Sequence, residues 1–103
     1  MTGTPNQIEM AEQIRPQVAA EFDRVAAAFQ LVALSQQGEV QAETAGILGI
    51  LAQKRSQTLA NTSAGYYITT WRELNDQVRQ LIFADPAYKI IQRARQKRAE
   101  ISE

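Results

Sequence analysis

The side chains that could do chemistry in this 103-residue chain are carboxylates, arginines, lysines and three tyrosines, because histidine and cysteine are both absent. Those gaps remove the commonest general base, the commonest zinc and haem ligands, and both the Ser-His and Cys-His nucleophilic arrangements. Glu9 with Glu12, Glu39 with Glu43, and Glu73 with Asp76 are spaced to share helix faces, as ligands for a divalent cation would be. A bundle di-metal site needs two such pairs to converge and draws on Glu-x-x-His, which this chain lacks. The pairs therefore read as solvated surface, with neighbours such as Glu12 and Arg15, Glu21 and Arg24, and Arg72 and Asp76 in local ion pairs. The hydroxyls of Ser56, Thr58, Thr62 and Ser63 have neither a base nor a Gly-rich phosphate loop beside them and read as helix-end chemistry. The expectation is a non-catalytic protein with no metal and no cofactor.

The most concrete binding lead is the basic run Lys89, Arg93, Arg95, Lys97 and Arg98, a candidate contact for an anionic partner such as nucleic acid. At helical spacing Lys89, Arg93 and Lys97 form one stripe, whereas Arg95 sits well around the helix and Arg98 lies by its apolar face. Cations near a helix C-terminus also complement its dipole without any partner. Tyr66, Tyr67 and Trp71 read as core or interface anchors.

Charge is zero overall but unevenly placed. Through Gln53 two arginines stand against six acidic residues, and from Lys54 onward nine cations stand against five. That polarity suits antiparallel helices that attract one another. Nearly half the residues are apolar (45%) and a fifth charged (21%), the balance of a chain that folds as one domain over 1–103. Residues 1–5 and about 99–103 are expected to fray. Met1 to Asn6 has neither a basic region nor an apolar core, and the apolar stretch from Ala45 to Ala52 is far short of the roughly 20 residues that span a bilayer. A cytoplasmic protein without a membrane span is the simplest expectation.

The elements that must position these residues are helical. Thr4-Pro5-Asn6-Gln7 has the form of a capping box with proline at the first helical position. Pro16 predicts a kink or short break near Arg15. From Pro16 to about Ser35, Val18, Phe22, Val25, Phe29 and Val32 form a heptad-like seam, with Ala20, Ala27, Leu31 and Leu34 on a separate stripe for a second partner. Gly38 predicts a turn, and a second helix over about Glu39 to Ala60 carries Val40, Thr44, Ile47, Leu48, Leu51 and Leu59 on one face. Its opposite side presents Ala42, Ala45, Gly46, Gly49, Ala52, Ser56 and Ala60. Each glycine there lowers helix propensity by about 1 kcal/mol, which predicts close approach of another helix and a central place for this one.

Tyr66, Tyr67 and Ile68 are the one β-favouring cluster, too short for a sheet. Thr70-Trp71-Arg72-Glu73 predicts a third helix bearing Trp71, Leu74, Val78, Leu81 and Ile82, and Asp85-Pro86 predicts the immediate start of a fourth. On that last helix Ala87, Ile90, Ile91, Ala94 and Ile101 share one arc.

Two family resemblances stop short. The stretch from Ile47-Leu48 to Lys54-Arg55 is similar to the end of the first helix of small helical chorismate mutases, but Gly38 stands where that family requires an arginine. Trp71 is followed by Arg72-Glu73, which departs from the central motif of WXG-type helical hairpins. The reading is an all-α, three- to four-helix antiparallel bundle built on a long helical hairpin. Its expected function is a protein-protein interaction or assembly subunit, most simply a homo-oligomer. Ala42, Gly46, Gly49, Phe22, Phe29 and Trp71 are the candidate helix-helix interface. The alternative is a small nucleic-acid-binding protein that uses the basic C-terminal helix.

Overall fold

A computed structural model describes residues 1–72, 74 and 76–102. These form five helices: α1 (Pro5–Leu34), α2 (Gly38–Leu59), α3 (Ala64–Thr70), α4 (Gln77–Ala84) and α5 (Pro86–Ser102). The fold is all-α, built on the long antiparallel hairpin of α1 and α2. Its starting cap is formed as read: the Gln7 amide donates to Thr4 Oγ1 at 3.3 Å, and the Thr4 amide donates to Gln7 Oε1 at 2.9 Å.

Of the kink or short break expected near Arg15, the break does not occur, and α1 runs through Pro16 for 30 residues. Proline removes one intrahelical donor, which is a local loss. Ala11 before it and Val18 after it are both fully buried, so packing on each flank holds the two halves in one helix. Arg15 adds a tie across the hairpin, with Nε and Nη2 donating to the Leu59 carbonyl at 3.3 and 2.7 Å. That contact places a cation at the α2 C-terminus, where the helix dipole favours it.

Between the long helices Gly38 takes φ 63°, a left-handed conformation that glycine adopts without steric penalty. Gln41 Nε2 reaches back across the turn to the Ala33 carbonyl at 3.0 Å. The core then fills the hairpin away from this tip: Val18, Phe22 and Val25 of α1 meet Ile47 and Leu51 of α2. Ile50 is buried as well, and Thr44 is buried because its hydroxyl donates to Gln36 Oε1 at 2.5 Å.

The β-favouring aromatic cluster belongs to a short helix, α3. Ser63 Oγ accepts from the Tyr66 amide and caps α3. Tyr67 is fully buried, its hydroxyl hydrogen shared between the carbonyls of Thr58 (2.8 Å) and Asn61 (2.9 Å). Trp71 packs at 5.8 Å between ring centroids from Phe22 and donates its indole N–H to the Tyr66 hydroxyl at 3.2 Å. Tertiary burial thus overrides the β preference of Tyr66-Tyr67-Ile68.

Thr70 is the last residue of α3 and not the cap of the next helix. The Glu73 half of that expected capping box lies outside the described residues. Instead α4 begins after Asp76, which takes φ 64°, a left-handed conformation that aspartate tolerates better than most residues. Val78 and Ile82 are the buried face of α4. The sharp start of α5 is formed as read, with Asp85 Oδ1 accepting from the Ala87 amide at 2.8 Å.

At the chain start, Thr2 bonds to both sides of Ser63, donating to the Thr62 carbonyl at 2.8 Å and accepting from the Ala64 amide at 2.9 Å. The molecule measures 58 × 23 × 19 Å with a radius of gyration of 16.5 Å. A compact domain of this length has a radius near ~13 Å, so the fold is an elongated rod.

Candidate interaction surface

The candidate interface residues separate into core and surface. Phe22 and Trp71 are buried and in contact with each other, so they pack helices together inside the core and do not reach the outer surface. Phe29 is half-buried at its edge, while Ala42, Gly46 and Gly49 are exposed. α2 packs against α1, α4 and α5, but its small-residue stripe is approached at one point only: Ala42, Ala45, Gly46, Gly49, Ala52 and Ser56 are all exposed. Gly46 alone has a close neighbour, since a Cβ there would meet Ile91 Cδ1 at 3.3 Å. At Gly49 a Cβ would meet nothing within 4 Å.

The large apolar side chains left uncovered lie mostly towards the hairpin tip and on α5. Leu31 is 70% exposed and Leu34 81%, on the stripe of α1 that faces away from the core. Ile90 is 66% exposed and Ile101 83% on α5. Val32, expected in the buried seam, is exposed as well, because the packed core ends one helical repeat earlier at Val25. Val32 lines a groove of about 330 Å³ with Ala28, Phe29, Arg79, Phe83 and Tyr88. Phe83 and Tyr88 meet there at 5.2 Å between ring centroids. Sequence reasoning did not single out this aromatic pair. Its one signal is position: the two rings flank the Asp85-Pro86 junction, where the change of helix direction brings them together.

The basic run also divides. Arg95 Nε lies 3.4 Å from Glu43 Oε1, and Arg98 bonds to Glu39 at 3.2 Å and to Glu43. Bonding to Arg98 holds the Glu43 carboxyl below its ordinary range, with Arg95 adding to the effect and burial opposing it. The same contacts raise Arg98 above its usual value. Arg95 and Arg98 are therefore engaged by α2. Lys89, Arg93 and Lys97 remain exposed on the outer side of α5. The acidic first half and basic second half of the chain meet at this antiparallel contact. Arg55 with Asp23 at 3.0 Å repeats the pattern elsewhere, whereas Lys54 with Asp85 at 3.0 Å pairs two residues of the second half.

Glu39 and Glu43 thus converge on arginines. Among the described residues no group of three or more acidic side chains is gathered as a metal site would need, and no helix is long and apolar enough to cross a membrane. Comparison with protein-family models, with curated proteins and with solved structures gives no match for this chain.

Proposed function

We propose that this chain is a non-catalytic assembly module that pairs with a second copy of itself through the apolar helix faces it leaves uncovered. One observation carries the reading. The chain exposes 6847 Å² of surface, where a compact monomer of 11.5 kDa exposes about 5,800 Å². The surplus of about 1,000 Å² is close to the ~800 Å² that each partner buries in a standard interface. Leu31, Leu34, Ile90 and Ile101 supply large apolar side chains for it.

Charge favours a second copy as the occupant. A formal charge of zero puts no net repulsion between two copies. The exposed stripe Ala45, Gly49, Ala52, Ser56 on α2 carries no charged residue, and the one charge on the α1 row of Ala20, Ala27, Leu31 and Leu34, Arg24, is paired with Glu21. A two-fold contact requires one surface to complement itself, and an uncharged, small-residue face meets that requirement more readily than a face of one sign. The nucleic-acid alternative loses support, because two of its five cations are engaged by Glu39 and Glu43.

Absolute molar mass by light scattering, at low and at high salt, tests the proposal. A dimer or larger species at both salts is the expected result, since apolar burial is not screened. A monodisperse monomer at both would reject self-assembly. In the Leu31→Ser, Leu34→Ser double variant the dissociation constant should rise at least roughly tenfold if the α1 stripe is buried in the contact.

A further inference from the structure

α5 is attached differently from every other helix. Among its described residues none is buried, and Tyr88 and Ile91 are the apolar side chains that reach the edge of the core. Ile91 rests over Gly46 with the end of a flexible side chain, while Ile90 and Ile101 point away into solvent. What holds the helix alongside α2 is polar. Lys54 and Asp85 pair at 3.0 Å at the junction end, and Arg95 and Arg98 clasp Glu43 and Glu39 towards the far end. Arg95 Nη2 also lies 3.4 Å from Thr44 Oγ1.

The junction itself is a single residue. α4 ends at Ala84 and α5 begins at Pro86, with Asp85 extended between them at φ −73° and ψ 133°. Pro86 has no N–H with which to continue the hydrogen-bond ladder of α4, so the two helices are not locked into one.

We infer that α5 is a strap latched onto α2 by ion pairs, able to lift about the Asp85-Pro86 junction while the rest of the fold stays packed, with ionic strength setting its docked fraction. The physical reason is the balance of forces. Ion pairs that reach solvent, as these do through Glu39 and through arginines about a third exposed, are weakened as salt rises, whereas buried apolar contacts are not. A helix with no buried residue has little of the second kind to fall back on, so it belongs to the part of the structure that opens first. Lifting would take Ile91 off Gly46 and release Arg95 and Arg98 to solvent beside Arg93 and Lys97. The inference stands whether or not two copies pair.

The chain has no cysteine, so two labels can be introduced cleanly. Gln37→Cys in the turn and Gln96→Cys on α5, both exposed positions, carry spin labels for pulsed distance measurement, diluted into unlabelled protein so that only intramolecular separations are read. At about 0.01 M ionic strength one short separation is expected. At about 1 M, where the screening length falls to about 3 Å, a longer and broader population should appear while the near-ultraviolet signal of buried Trp71 is unchanged. Glu43→Gln at low salt should raise the ratio of lifted to docked α5 roughly three- to tenfold. Lys89→Gln, an exposed cation outside the clasp, should leave it unchanged. A distribution identical at both salts would overturn the inference. So would loss of the Trp71 signal together with α5, or an equal response to Glu43→Gln and Lys89→Gln.

Discussion

Two short helical additions close the same hairpin by opposite means. α3 docks on α1 through burial, with Ala64 and Tyr67 fully enclosed, Trp71 behind them against Phe22, and the Tyr67 hydroxyl satisfying two carbonyls at the end of α2. α5 docks on α2 through charge, with no buried residue among those described and a clasp of two arginines on two glutamates. The first kind of contact draws on removal of apolar surface from water and is insensitive to salt. The second kind is worth roughly 0–1 kcal/mol per exposed pair and depends on ionic conditions. A rod with one end closed by packing and the other trimmed by charge has a stable region and an adaptable one. The uncovered apolar residues lie mostly with the adaptable one.

The largest effect that would test this contrast is removal of a ring from the packed region. Phe22→Ala deletes a buried side chain that contacts Trp71 and should lower global stability by about 3–5 kcal/mol, read as the shift in a denaturant unfolding curve. Ile91→Ala, the corresponding deletion on α5, should cost less than about 1.5 kcal/mol. Equal losses would mean that α5 is as much a part of the core as α1.

A smaller effect separates the two helix glycines. Gly49→Ala fills open space and should stabilise the free chain by up to about 1 kcal/mol through helix propensity. Gly46→Ala should gain less, because its Cβ would press on Ile91 Cδ1 at 3.3 Å. Thermal unfolding of both variants decides the order. If Gly49→Ala instead loosens self-association, measured by light scattering, the open stretch of α2 lies inside the contact between copies.

The smallest effect is acid sensitivity confined to α5. Glu43 faces Arg95 and Arg98 from α5, with Glu39 and Thr44 beside it on α2, and its carboxyl is held below the ordinary value of 4.5 by the bond to Arg98. A carboxylate whose folded value is depressed contributes stability that is complete above the unfolded value and is lost as pH falls through the folded one. The same labelled pair should therefore report lifting of α5 as pH drops below 4.5, with the Trp71 signal persisting to lower pH. Simultaneous loss of both signals would place the two regions in one cooperative unit.

Much of this contrast was legible beforehand, and the misses share a cause. Thr4 to Gln7, the Gly38 turn and the Asp85-Pro86 start are local devices whose partners lie within a few residues, so the sequence carries them whole. Pro16 does not break its helix because a proline's penalty is local while the packing of Ala11 and Val18 that outweighs it is not. Tyr66 and Tyr67 mislead because their helix is held by contacts with Thr58, Asn61 and Trp71 that no window of sequence displays together. On the candidate surface, Gly46 and Gly49 look alike in the sequence, yet only one has a neighbour, since that depends on where Ile91 of a distant helix comes to rest.

By itself the sequence determined the helical class, the hairpin, the helix caps and the opposite charge of its two halves, because these follow from periodicity, capping chemistry and composition. Only the tertiary structure decided which apolar stripes would be covered. Val25 is enclosed and Val32 exposed on the same seam, and Phe22 is enclosed where Leu31 is open, because the short third and fourth helices cover only the part of the hairpin away from its tip. The tertiary structure also decided that the basic helix would spend Arg95 and Arg98 on Glu43 and Glu39. Charges of opposite sign attract wherever they meet, and which ones meet is a property of the packed chain.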